Sequence, residues 1–375
     1  GVLDSQKGQK WRRGILAKND VRLIGTFGEH GLFRHAMVSI AAAVFQRGRS
    51  NASTIMIWSD QRASSAEAAL RKLRQSGYGD AFLDHNRSTS VSIYSMNSRE
   101  LSTRKSWLPT PNALGRLLDV IKQNNFSPVS ELFDVKQGIK TGLNEAFLIS
   151  DDELKSKYKS ERRYFRKVAS GEDIIGGFFL SSTNIFYVPG LFSSKKQLLE
   201  SAPLFGRRIG EYEEKLKRRP KSDPNKWWEP IWPRVPLASR TPRILSKMFG
   251  GLDMAAGDLR GDYLPLQAYA WMPTGALNVD DGLEEAALWW YCPILNSRIF
   301  FLLRREFASA ITAGGQLDVS PKYINEVPIP KPTRDQLVNF ASLSERNISA
   351  SEENDAIVAA LYGTPIKSWP THAAY

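Results

Sequence analysis

Within nine residues, Lys136, Gln137, Lys140, Thr141 and Asn144 bring together side chains able to meet a nucleic acid. Lysine can neutralise a phosphate or reach the guanine edge, and glutamine or asparagine can bond bidentately to adenine in the major groove. The five lie in and beside the loop Gly138-Ile139-Lys140-Thr141-Gly142, with β-forming residues before it and Ala146-Phe147-Leu148-Ile149 after it. The flanks predict two paired strands. The glycines supply backbone conformations that a Cβ resists, and Asn144 tolerates a left-handed turn. A glycine hairpin kept for its turn geometry is the structural alternative. The order of residues is not that of a phosphate-binding P-loop, where glycine, lysine and serine or threonine are consecutive.

A second group is larger. Between positions 207 and 247 lie Arg207, Arg208, Lys215, Lys217, Arg218, Arg219, Lys221, Lys226, Arg234, Arg240, Arg243 and Lys247, against Glu211, Glu213, Glu214, Asp223 and Glu229. Residues of this kind neutralise phosphates and release counterions, each contact adding about 0.9 to the log-log salt slope. A solvated basic face is the simpler alternative. The candidate DNA contacts are Lys217, Arg218, Arg219, Lys221, Arg240 and Arg243, together with Arg166 upstream. Trp227, Trp228 and Trp232 interleave with the cations; such rings can stack on an extruded base, though core packing is the plainer expectation.

Other chemistries find little support. Asp134-Val135-Lys136 is half of a metal-dependent nuclease site without an upstream acidic partner. His30, His35, His85 and His372 lack ligand spacing, and no Ser/His/Asp set is arguable. The single cysteine, Cys292, excludes an intrachain disulfide; in Leu288-Trp289-Trp290-Tyr291-Cys292 it reads as a buried small hydrophobe. No metal or catalytic residue is expected.

The 375 residues are enough for two domains, with 42% hydrophobic and 24% charged residues. The net charge of +12 is the unusual figure. It favours a polyanionic partner. No apolar run is long enough to cross a bilayer and no signal pattern opens the chain, so a cytoplasmic protein without a membrane partner is expected.

The elements that must position these residues follow from periodicity. Lys7 to Arg13 is helix-compatible, Val21 to Phe27 a strand, Gly28 to Gly31 a loop, and Ala36 to Phe45 an apolar run suited to a strand buried on both faces. Ile55 to Trp58 is a further strand, and Ser64 to Arg74 a helix with Ala68, Leu70 and Leu73 inward. Pro109 to Asn112 opens a helix carrying Leu114, Leu117, Leu118 and Ile121. Downstream, Phe178 to Leu180, Asn184 to Val188 and Arg243 to Lys247 are expected strands. Leu198 to Leu216 is helical with a break near Pro203, and Asp281 to Ala308 mainly helical. Val327 to Pro332 ends regular structure, and Thr333 caps a helix to about Arg346. No internal repeat or heptad pattern is present.

The segment Val135 to Ile149 resembles the opening of the target-recognition domain of DNA adenine-N6 methyltransferases with a TaqI-like specificity domain. Other pieces resemble the same family in order: Lys10 to Leu16 with Val21 to Ile24 and Ala36 to Phe45, Phe165 to Ile174, Arg240 to Leu245, Pro293 to Arg298, and Tyr323 to Pro330. Five pieces in register span most of residues 10 to 340. The resemblance implies double-stranded DNA as partner and S-adenosylmethionine as the cofactor of a full-length enzyme in a restriction-modification or related defence system. The family's Asn/Asp-Pro-Pro-Tyr/Phe tetrad is absent, and Gly25 to Gly31 lacks the cofactor-binding glycine spacing.

The chain is therefore expected to be a C-terminal part, α/β and then α+β. A remnant of a Rossmann-like methyltransferase sheet would occupy 1–105, a recognition domain 106–350 and a tail 351–375. On its own it should bind no S-adenosylmethionine and transfer no methyl group; the missing N-terminal portion is its expected partner. The competing expectation is a stand-alone nucleic-acid-binding protein.

Overall fold

The computed structural model describes residues 2–3, 7–27, 41–48, 52–59, 63–76, 91–104, 106–110, 112–124, 126–277, 284–307, 317–341 and 351–364. The fold is mixed α/β, built on several small sheets. The four histidines and the Gly28 to Gly31 loop lie outside the described residues.

The N-terminal sheet runs Ala41–Arg47, Asn19–Thr26, Thr54–Ser59, Val91–Met96. Only its central pair is parallel. Val21, Ile24, Met56, Met96, Leu101 and Trp107 form its core. The expected doubly buried strand is instead an edge: residues 41–47 are largely exposed, with Val44 at 50%. An apolar run marks a strand, but its place in the sheet depends on which neighbours arrive to cover it. The helix Ala63–Ser76 forms as expected, yet Leu70 points outward at 41% exposure while Ala68 is half-buried. The side chains of Leu73 and Leu114 lie outside the described set.

Two further four-stranded sheets carry the rest. One runs Tyr263–Pro265, Phe165–Ala169, Thr183–Phe186, Leu148–Ser150. Its core is rich in rings, with Phe147, Tyr158, Phe165, Phe186, Phe205, Trp227 and Trp228 buried together. The rings meet mostly edge-on, as their quadrupoles favour. The other sheet is wholly antiparallel: Ala255–Asp258, Arg243–Lys247, Ala268–Pro273, Phe133–Gln137. Against it pack the helices Glu284–Leu295 and Arg298–Phe307.

The stretch 281–308, expected to be mainly helical, holds two helices bent by 69° at Asn296-Ser297. Both break residues have assignable work. The Asn296 amide accepts from the Ala255 backbone N–H and donates to the Ala255 carbonyl, each at 2.9 Å, extending the edge of the sheet with a side chain. Ser297 Oγ accepts from Phe300 N at 3.1 Å, capping the new helix. Among the described residues no single helix is long and apolar enough to cross a membrane; the bent pair belongs to the core. Cys292 is fully buried there, and burial pushes its thiol up to about 12.

The helical stretch 195–217 breaks at Ala202-Pro203 as expected, and again after Gly210. Pro328–Ile329, at the expected end of regular structure, forms a short closing strand that pairs with Ser127–Pro128 and so ties the two ends of this region together. Proline, which has no N–H to donate, is tolerated in such a short pairing because few ladder hydrogen bonds are required. Residues 351–364 are no tail: the helix Glu352–Leu361 buries Val358 and Ala359, followed by Tyr362, in the core. Thr333 caps the helix Arg334–Ala341 reciprocally with Gln336; its expected continuation to Arg346 lies outside the described residues.

Candidate nucleic-acid interface

The loop after Gln137 does not join a hairpin. Phe133–Gln137 is the edge of the antiparallel sheet and Leu148–Ser150 the edge of the other, with the short helix Asn144–Phe147 between them. The two-glycine segment is thus a crossover from one sheet to the next. Alternation of residue types indicated strands but could not say that their partners differ.

Backbone contacts fix this crossover. Gly138 N donates to Ala268 O at 2.8 Å and Ile139 N to Pro265 O at 2.9 Å. A Cβ on Gly138 would meet Pro265 O at 2.2 Å, so only glycine allows that approach. Lys140 and Trp232 exchange two backbone hydrogen bonds, both 3.1 Å. Gly142 then turns with φ +78°. Thr141 is 1% exposed; its Oγ1 lies 2.6 Å from Asn144 Oδ1 and accepts from Leu143 N.

Arg219 clamps the crossover from below. Its guanidinium donates to the carbonyls of Leu216 (2.9 Å), Thr141, Trp227 (2.7 Å) and Glu229 (3.0 Å), and its Cζ lies 5.3 Å from the Phe147 ring centroid. Only 7% of the residue is exposed, and burial pushes its pKa down to about 10. Carbonyl dipoles, rather than a carboxylate, solvate this charge. Arg219 is committed to the interior.

Three other expected DNA contacts have the same character. Arg243 is fully buried, pairs with Asp258 at 3.1 Å and donates to the carbonyls of Leu237 and Tyr263. Arg166 donates to Ala238 O and Gly261 O; burial, reinforced by the nearby charges of Arg240 and Arg243, moves its pKa down. Thr141 is the third, closed off within its own turn. A second set is neutralised at the surface: Lys136 by Asp134 at 2.7 Å, Lys217 by Glu213 at 2.7 Å, and Arg218 by Glu214 at 4.0 Å. The Asp134-Lys136 ion pair also accounts for the nuclease-like fragment, and no cluster of metal-ligating residues exists among the described residues.

Gln137, Lys140, Asn144, Lys221 and Arg240 remain at least partly accessible. Among the described residues Lys140, Lys221 and Arg240 carry no ion pair, and neither do Arg207, Lys226, Arg234 and Lys247. Trp227 and Trp228 are core residues, as expected, but Trp232 is half-buried. Its ring gathers three cations: Lys140 Nζ at 4.5 Å, Lys221 Nζ at 5.0 Å and the Arg234 guanidinium at 5.3 Å from the centroid. Sequence reasoning placed Arg234 in the basic stretch and missed its role beside Trp232. The available signal was Trp232-Pro233-Arg234, an aromatic two residues from a cation with no acid within two residues of either.

No family model and no curated protein matches this chain. Among solved structures, it is similar to the type IIL restriction-modification enzyme MmeI in complex with DNA, with TM-score 0.48, 13% identity, and 98% of this chain covering 43% of that one. A second is the type IIG restriction endonuclease BpuSI, with TM-score 0.46, 12% identity, and 100% of this chain covering 47% of that one. The chain spans less than half the length of either.

Proposed function

We propose that this chain recognises duplex DNA as part of a restriction-modification protein of the adenine-N6 methyltransferase class. The carrying observation is the group of accessible cations left without carboxylate partners among the described residues: Lys140, Lys221, Lys226, Arg234, Arg240 and Lys247. A surface that leaves so much positive charge uncompensated draws polyanions and loses that attraction in salt. The sequence resemblance supplies the finer reading, in which the bound duplex is offered to a methyltransferase portion that carries S-adenosylmethionine. No step of methyl transfer is assigned to residues of this chain. The exposed apolar edge strand Ala41–Arg47 supports a further protein portion, because an uncovered strand edge offers backbone groups to a partner. A cytoplasmic setting follows from the same reading.

The test is duplex binding by fluorescence anisotropy between roughly 50 and 200 mM salt. Affinity should fall steeply and linearly on a log-log scale. Binding that is absent at low salt, or indifferent to salt, would sink the proposal.

A further inference from the structure

Trp232 sits where three separate pieces of chain meet. Lys140 arrives on the crossover between sheets, Lys221 after the short helix Glu213–Lys217, and Arg234 two residues beyond the ring itself. An aromatic face attracts a cation, and one on each face would be an ordinary structural arrangement. A ring has only two faces, so three cations over it force at least two onto one side. No two of them can be more than roughly 10 Å apart, about a Debye length at 0.1 M salt. None has a carboxylate partner among the described residues.

The backbone at two of these residues is also unusual. Lys221 and Arg234 adopt φ +65° and +50°, two of the four non-glycine residues with positive φ among the described residues. Left-handed backbone is uncommon for long side chains and persists where surrounding structure enforces it, as at ligand-binding sites. Here it accompanies both side chains over the same ring. Lys140 is fixed in its turn by the paired backbone bonds to Trp232.

We infer that Lys140, Lys221 and Arg234 around Trp232 form a phosphate-binding site for the phosphodiester backbone of duplex DNA, which rests on the DNA-binding reading above. Two ammonium groups and one guanidinium supply charge and donors suited to phosphate oxygens. Cations occupy the ring's surroundings, so Trp232 serves as their platform and not as a stacking surface for a base. Lys140 then contributes to affinity on every sequence alike, and the crossover positions the strand instead of choosing it.

The experiment uses the full chain labelled with 5-fluorotryptophan, the Trp232 fluorine resonance being assigned through Trp232→Phe. The probes are two short duplexes of unrelated sequence and inorganic pyrophosphate. The variant is Lys140→Gln with Lys221→Asn and Arg234→Asn, because asparagine tolerates left-handed backbone. Both duplexes and pyrophosphate should shift the wild-type Trp232 resonance. The variant should lose these shifts, and its salt slope should fall by roughly two to three units, equally on both sequences. An unchanged slope, or a Trp232 signal unmoved at saturating duplex, overturns the site while leaving DNA binding intact. If the wild-type chain binds no duplex, the DNA reading fails separately. The site then stands as a free-phosphate site only if pyrophosphate shifts Trp232 saturably, and falls if it does not. Should the triple variant not fold, Lys140→Gln alone must reduce the slope by about one unit.

Discussion

Residues 207–219 and 221–247 are equally basic in sequence and meet opposite ends in the fold. In the first segment Arg208 pairs with Glu153, Lys215 with Glu145, Lys217 with Glu213 and Arg218 with Glu214, Arg219 is sunk among carbonyls, and Arg207 is without a carboxylate among the described residues. In the second, Arg243 alone is paired, and Lys221, Lys226, Arg234, Arg240 and Lys247 are left without carboxylates among the described residues. Helical spacing explains part of the contrast: Glu213 and Glu214 stand four residues before Lys217 and Arg218, on the same face. Segment 221–247 has no comparable helix, so its few acids do not come round to its cations. A run of positive charge is therefore not a site until its acids have been accounted for.

The largest expected effect tests the buried side of this contrast. Arg219→Met leaves several buried carbonyls without a donor, at about 1–3 kcal/mol each, and should lower stability by about 3 kcal/mol or more in urea unfolding. Lys221→Asn, two residues on and exposed, should stay within about 0.5 kcal/mol of the parent. Comparable losses at both positions would erase the distinction between clamp and surface.

A smaller effect sharpens it. Gly142→Ala must accept φ +78° and a contact at 2.8 Å with Arg219 Cδ, and should cost about 1–3 kcal/mol. Because both substitutions act on the same clamp, their losses should fall short of additive in a double-mutant cycle. Full additivity would detach the glycine turn from Arg219.

The smallest effect concerns pH. Hydrogen bonds from Lys195 and Lys217 hold the Glu213 carboxyl below its usual value of 4.5. A carboxyl depressed in the folded state stabilises above its unfolded pKa and loses that contribution as pH falls through the folded value. The stability gap between parent and Glu213→Gln should therefore be constant from neutral pH to about pH 5 and close below about pH 4. A gap that persists in acid would show that Glu213 acts through packing instead of charge.

Much of the fold was legible in the chain. The strands at 19–26, 54–59 and 243–247, the break at Pro203, the Thr333 cap and the buried Cys292 all follow from local patterns of apolar, capping and turn residues. The site was legible only as a pool of candidates. Arg219, Arg243 and Arg166 look like surface cations in sequence because nothing local reveals that carbonyls from distant segments will surround them. Trp232 looked no different from Trp227 and Trp228, though only the latter two are sealed in the core.

Composition and periodicity by themselves determined that this is a basic, mixed α/β chain with a glycine-bearing turn at 138–142 and a reservoir of cations after it. Tertiary structure decided which strands pair, turning an expected hairpin into a crossover between sheets. It also decided which cations are spent internally and which three converge on one ring. The physical reason is range. Hydrophobic periodicity and turn chemistry act over a few neighbouring residues, whereas solvating a guanidinium or crowding like charges can depend on groups brought together from 80 or more residues apart, as Lys140 is from Lys221 and Arg234.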